Sequence, residues 1–182
     1  MASISSSRPG PSTVRTAARA VILRGSELLV VRVRTDEGEF LVLPGGGQEH
    51  GETLTDTVQR EVFEELGLRV VPGRLVYLRE YVGKNHGMHR IHGRFHQVEA
   101  VFHCACGDFS PIGGGLTTDR RQIGFEWIPL EKLADYPLSP QGLGAIIASP
   151  CKMAPRVTWG MCTEGLPAAF LFPLFTFRFL GV

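Results

Sequence analysis

The segment that most constrains this chain is residues 46–68, GGQEHGETLTDTVQREVFEELGL. Thr53 followed three residues later by Asp56 has the form of a capping box, which predicts a helix that starts just after Glu52. Leu54, Val58, Val62 and Leu66 recur every fourth residue as an apolar stripe, and Gly67 supplies the left-handed position that ends the helix. Glu61 and Glu65 are four apart and Glu61 and Glu64 three apart, so the three carboxylates share one face, away from the stripe. Like charges so placed cost a bare helix roughly a few tenths of a kcal/mol per pair. A bound divalent cation would reverse that cost.

Hard oxygen ligands on a helix beside a glycine-rich loop are what magnesium needs when it also bridges phosphate oxygens. The loop is Pro44-Gly45-Gly46-Gly47, whose glycines let backbone carbonyl and amide groups approach a metal or a phosphate closely. Arg60 lies four residues from both Asp56 and Glu64, suited to orient the acidic cluster by charge-assisted hydrogen bonds. Any one of these glutamates fits an ordinary solvated helix face. The whole set, with loop, spacing and helix ends in agreement, points to phosphate chemistry.

The spacing also resembles the Nudix box with every defining position filled. Gly46 is followed after five residues by Glu52, and after seven more by Arg60-Glu61-Val62-Phe63-Glu64-Glu65-Leu66-Gly67-Leu68. The resemblance implies a Nudix fold, an α+β (α/β/α) sandwich with a mixed β-sheet flanked by helices. It implies a Mg2+-dependent hydrolase, with Mn2+ as an alternative ion. The substrate class would be a nucleoside diphosphate linked to another moiety, cut at the diphosphate. In the family, residues matching Glu61, Glu64 and Glu65 bind the metal, joined by the carbonyl of the residue matching Gly45, while Glu52 and Arg60 support loop and helix. The general base varies: here it is Glu61 or Glu64, or an acid from a later loop, for which Asp119 is the candidate and also a metal ligand. A turn residue making an Asx hydrogen bond is the plainer reading of Asp119.

At 182 residues and net charge +1 the chain is sized for one soluble domain, with no general nucleic-acid footprint and no acidic tail. Residues 1–16 lack an apolar run and read as a flexible leader rather than a secretory signal, which makes cytoplasm the expected location. Residues 17–150 form the expected catalytic domain. Residues 151–182 are an atypical apolar tail that carries five of the eleven phenylalanines, too short and too interrupted to span a bilayer. Packing in the core or in a homodimer is the simplest role for it, and a frame-shifted end is an alternative. Four scattered cysteines make neither a disulfide framework nor a zinc site.

Apolar runs within residues 18–34 around Arg24, Gly25, Ser26 and Glu27 predict a hairpin. Further strands are expected at residues 41–43, 69–81 with Pro72-Gly73 as a turn, 95–106 and 125–128. Short helices are expected at residues 130–136 and 141–149. The mixed order argues for an α+β or α/β sandwich. One departure from the family is Leu41, where many relatives carry a tryptophan; Phe40 lies beside it.

Between Tyr81 and His103 the chain gathers five of its six histidines with Lys84, Arg90 and Arg94. Cationic and protonatable groups opposite a metal-carboxylate site suit a distant phosphate or a ribose, so these three are the candidate substrate contacts. His86, His89 and His92 are spaced unsuitably for zinc in a loop running into a strand. Two classes of function follow: an enzyme on a small-molecule nucleotide, or a non-catalytic Nudix-fold module that senses one. Intact box glutamates favour the enzyme.

Overall fold

The structure, a computed structural model, describes residues 13–36, 38–83, 95–115, 121–140, 143–148 and 156–157. Its elements in chain order are β1 (Arg15–Arg24), β2 (Glu27–Thr35), β3 (Gly38–Val42), β4 (Gly45–Gly47), α1 (Leu54–Leu66), β5 (Val70–Val82), β6 (His96–Cys106), β7 (Gln122–Pro129), a 3-10 helix (Leu130–Asp135), β8 (Leu138–Ser139), α2 (Leu143–Ala148) and β9 (Arg156–Val157). β1 begins at Arg15, two residues inside the stretch that composition marks as leader.

The expected hairpin forms, but β1 and β2 pair only beside their turn, at Leu23 with Leu28 and Arg24 with Glu27. Beyond that point the strands part like a fork. β4 takes the vacated edge of β1, with Gly45 opposite Arg19 and Gly46 opposite Ala18. β3 takes the vacated edge of β2 from Val31 onward. The predicted glycine loop is therefore a short strand, a finding that glycine content alone does not announce. Amide hydrogen bonds from Ala20 to the Pro44 carbonyl and from Gln48 to the Thr16 carbonyl, both 2.9 Å, tie its two ends to β1.

Around this fork the strand order is β8-β3-β2-β1-β6-β5-β9, with β7 on the other edge of β2. β1 with β6, β3 with β8 and β5 with β9 are parallel, and the other pairs are antiparallel, so the sheet is mixed as expected. Pro72 and Gly73 do not turn the chain. They sit in a register shift within one continuous strand, β5, whose bulge absorbs the missing proline N–H.

Alternate residues of β1 face two cores. Ala18, Ala20 and Ile22 pack with Leu29, Val31, Ala100 and Phe102 against Val58, Val62 and Leu66 of α1. Val21 packs on the opposite face with Leu28, Val30, Leu41, Val101 and Ile128, beneath Leu133 of the 3-10 helix and Leu143 of α2. Helices on both faces of a mixed sheet make the α/β/α sandwich. Full burial of each large side chain contributes about 1.5–3 kcal/mol. No helix among the described residues is long and apolar enough to cross a membrane.

α1 starts and stops as its sequence predicts. Thr53 caps it, its hydroxyl accepting from the Asp56 amide at 3.1 Å while the Asp56 carboxylate accepts from the Thr53 amide at 2.9 Å. Gly67 closes it at φ 74°, and its amide donates to the Phe63 carbonyl. A Cβ at Gly67 would lie 2.9 Å from the Gly114 carbonyl carbon and 3.0 Å from the Pro111 oxygen. Gly67→Ala should therefore lower stability by about 2 kcal/mol, from left-handed strain and the clash together. Urea unfolding checks this, and an unchanged midpoint would contradict the geometry.

Candidate functional site

α1 lays its acidic face along β4, and Arg60 fastens the two. Its Nε and Nη2 reach the Glu52 carboxylate at 2.5 and 3.0 Å, and Nη2 also donates to the Gly47 carbonyl at 3.0 Å. Nη1 meets Glu61 at 3.1 Å and Glu64 at 3.2 Å. Asp56, the other expected partner of Arg60, is instead consumed by the helix cap. Glu52 accepts further bonds from the Glu49 amide and the buried Thr57 hydroxyl, each 3.0 Å. Arg60, with those bonds, holds the Glu52 carboxyl down at about 2. Glu52 first, and then Glu61, raise the Arg60 pKa above its ordinary value, so its charge is permanent.

Glu65 behaves differently. Its Oε2 accepts from the Gly45 amide at 2.9 Å, and its Oε1 accepts from Gln122 of β7. Burial pushes its carboxyl up to about 7, and the neighbouring Glu61 charge adds to the rise. The Gly45 amide, Arg19 and Gln122 oppose that shift without cancelling it. Glu61 lies so close to β4 that a Cβ at Gly46 would fall on its carboxylate. Gly46 is thus the residue whose lack of a side chain lets the acidic face touch the glycine strand.

Beside the box, the structure brings in groups that sequence reasoning missed. Arg19 of β1 donates from Nη1 to the carbonyls of Leu43, at 3.2 Å, and of Gly45. Its Nε donates to Glu99 of β6 at 3.0 Å. Glu99 is buried and also faces Arg79 of β5 at 3.8 Å and the Gln97 amide at 3.4 Å. Arg15 donates to Gln97 at 3.3 Å, and its guanidinium lies beside Gly47. The signal available in sequence was charge set into two apolar strands, Arg15 and Arg19 in RTAARAVIL and Glu99 in HQVEAVFHC. Only the parallel register of β1 and β6, with Ala17 opposite Glu99, makes them a pair.

The structure therefore gathers Gly45, Glu52, Arg60, Glu61, Glu64 and Glu65 at one place. Lys84, Arg90, Arg94 and Asp119 lie outside the described residues, as do His86, His89 and His92. Leu41 is buried in the second core. Among the described residues, no three His, Cys, Asp or Glu side chains form a ready cation site. Arg60 holds Glu61 and Glu64, and Arg19 the Gly45 carbonyl. The donors themselves are hard oxygens, and Glu65 is raised by burial first and by the neighbouring Glu61 charge second. That set fits magnesium or manganese.

Comparison with known proteins agrees with this geometry. A family model described as the NUDIX domain matches residues 13–147, and the chain belongs to that family. It is 31% identical over 109 residues to mouse (Mus musculus) nucleoside diphosphate-linked moiety X motif 6, a match over 59% of this chain and 32% of that protein. The match thus spans about a third of that relative's length. Among solved structures, a NUDIX hydrolase from Nitrosomonas europaea superposes with a TM-score of 0.60 at 19% identity, over 74% of this chain and 86% of its own. An ADP-ribose pyrophosphatase from Streptococcus suis gives 0.51 at 23% identity, over 81% and 97%. At these identities the structures show the shared fold.

The sign of the Glu65 shift sets a pH dependence. A carboxyl at about 7 in the folded chain and near 4.5 when unfolded holds its proton more tightly when folded. Its stabilising contribution is full below about 4.5 and is lost as pH rises through about 7. Chelator-treated protein should lose on the order of 2–3 kcal/mol across that window from this group. Glu65→Gln should flatten that component in urea unfolding at a series of pH values. A variant with the parent's full slope would show that Glu65 is not the group.

Proposed function

We propose that the chain is a Mg2+-dependent pyrophosphohydrolase that cleaves the diphosphate of a nucleoside diphosphate linked to another moiety. The observation that carries this reading is the crowding of Glu61 and Glu65 against the glycine strand, with Glu65 raised to about 7 by burial and, to a lesser degree, by the Glu61 charge. Glu61, Glu64, Glu65 and the Gly45 carbonyl are the proposed ligands, with Asp119 as an outer one. When bound, the ion would neutralise the charge that builds on the bridging and equatorial phosphate oxygens during hydrolysis. Glu52 and Arg60 keep α1 against β4, so the ligands hold their places without substrate.

In the reaction a water oxygen forms a bond to one phosphorus and the bridging P–O bond breaks. A box carboxylate, Glu61 or Glu64, or else Asp119, takes the water proton. The products are two phosphate esters. The box serves what all such substrates share, so discrimination falls to other elements, for which Lys84, Arg90 and Arg94 are the proposed contacts. The names of the mouse relative and of the S. suis structure support a nucleoside diphosphate derivative, ADP-ribose among them, as the class to try first. The non-catalytic sensor is the weaker reading, since every box carboxylate is present and gathered.

Purified protein should release phosphate ester from at least one member of a panel of ADP-ribose, sugar nucleotides, nucleoside triphosphates and dinucleoside polyphosphates, only with Mg2+ or Mn2+. Glu65→Gln should lower that turnover on the order of a hundredfold while the fold stays intact. Near-parent turnover with unchanged metal dependence would remove α1 as the metal site.

Arg90→Ala or Arg94→Ala should raise KM for the best substrate, or reorder the panel, while the metal requirement is unchanged. Parent-like ranking and affinity in both variants would show that these arginines do not meet the substrate.

A further inference from the structure

The Gly45 carbonyl has two claimants. It is a proposed metal ligand, and in this structure it accepts from Nη1 of Arg19. A carbonyl oxygen offers two lone pairs, but a guanidinium and a divalent cation at one oxygen repel each other strongly in a partly desolvated place. Arg19 is placed there by design of the sheet. Its side chain is only 22% exposed, and its Nε is bound to the Glu99 carboxylate, itself 8% exposed. Nη1 also reaches the Leu43 carbonyl, so the guanidinium spans the turn that leads from β3 into β4.

We infer that Arg19 is the resident counter-cation of the glycine strand, and that its Nη1 leaves the Gly45 carbonyl when a divalent cation binds, while Glu99 retains its Nε. Arg19 is then a positioning residue. It satisfies the carbonyl in the metal-free protein and lowers metal affinity by competing for that oxygen. After the exchange Glu99 keeps the guanidinium at the edge of the site, so its charge is not lost to solvent. The inference rests on the metal reading of the box, and it adds a residue outside the box that sets how tightly the ion is held.

Arg79 is the natural control. It approaches the same Glu99 but from β5, beyond β6 from the glycine strand, so its removal takes away a nearby charge without freeing the carbonyl. Each single variant leaves Glu99 one arginine partner. Mn2+ alone, without nucleotide, should be titrated by calorimetry or by the electron paramagnetic resonance of free Mn2+. Parent and variants are titrated side by side at one fixed pH.

Arg19→Gln should bind Mn2+ tighter by on the order of tenfold, the worth of one charged hydrogen bond. Arg79→Gln should stay within about twofold of the parent, a change too small to represent a lost contact. Equal tightening in both variants would mean that charge alone acts, and no tightening in Arg19→Gln would mean no competition. Either result overturns the inference and leaves the metal site standing. If the parent binds no Mn2+, or Glu65→Gln binds it equally well, the metal reading itself falls and the inference with it. Should Arg19→Gln fail to fold, the side-chain resonances of Arg19 in the parent protein serve instead. Its Nη1 hydrogens should exchange faster on saturation with Mg2+ while its Nε–H stays protected. Unchanged Nη1 exchange would overturn the proposal.

Discussion

The charge on one face of α1 has to be compensated, and the rest of the site follows from how this is done. Glu61, Glu64 and Glu65 crowd a helix whose other face is locked into the core by Val58, Val62 and Leu66, so the helix cannot turn to spread them apart. Arg60 answers for Glu61 and Glu64 at 3.1 and 3.2 Å while its other nitrogens pin Glu52 and Gly47. Glu65 takes hydrogen bonds from the Gly45 amide and Gln122, with the Arg19 charge near enough to oppose its rise. Burial outweighs these partners, and the carboxyl rises to about 7.

The fork between β1 and β2 makes this possible. Had the strands stayed paired along their length, β1 would have no free edge for Gly45, Gly46 and Gly47. Because they part after Leu23 and Leu28, backbone groups of the glycine strand are brought to the acidic face on one side and to Arg19 on the other. The fold thus supplies the site with amide and carbonyl dipoles at fixed positions, and the side chains add charge to them. Parallel pairing of β1 with β6 then sets Glu99 behind Arg19, so the second arginine is anchored through its Nε.

What was legible in sequence is what depends on local spacing. The capping box at Thr53 and Asp56, the apolar stripe, the Gly67 end and the shared face of the glutamates all follow from a period of 3.6 residues. What was not legible depends on register between distant strands. Arg19 with Glu99, and Glu65 with Gln122, are 80 and 57 residues apart. Neither pair can be derived from periodicity, because a one-residue slip of either strand would turn the partners away from each other. Pro72 and Gly73 misled for a related reason. Their turn chemistry is real, but pairing of β5 with β6 on both sides of them converts it into a bulge. The glycine strand was hidden likewise, since three glycines have no strand propensity and are held only by the vacated edge of β1.

The central claim is that Glu61, Glu65 and the Gly45 carbonyl form a divalent-cation site on the glycine strand. Anomalous diffraction from crystals soaked in Mn2+ locates that ion without reference to any substrate or rate. The account predicts a Mn2+ peak against these three groups with the Arg19 guanidinium withdrawn from Gly45. A peak elsewhere, or none at saturating Mn2+ with Arg19 still on the carbonyl, would contradict it.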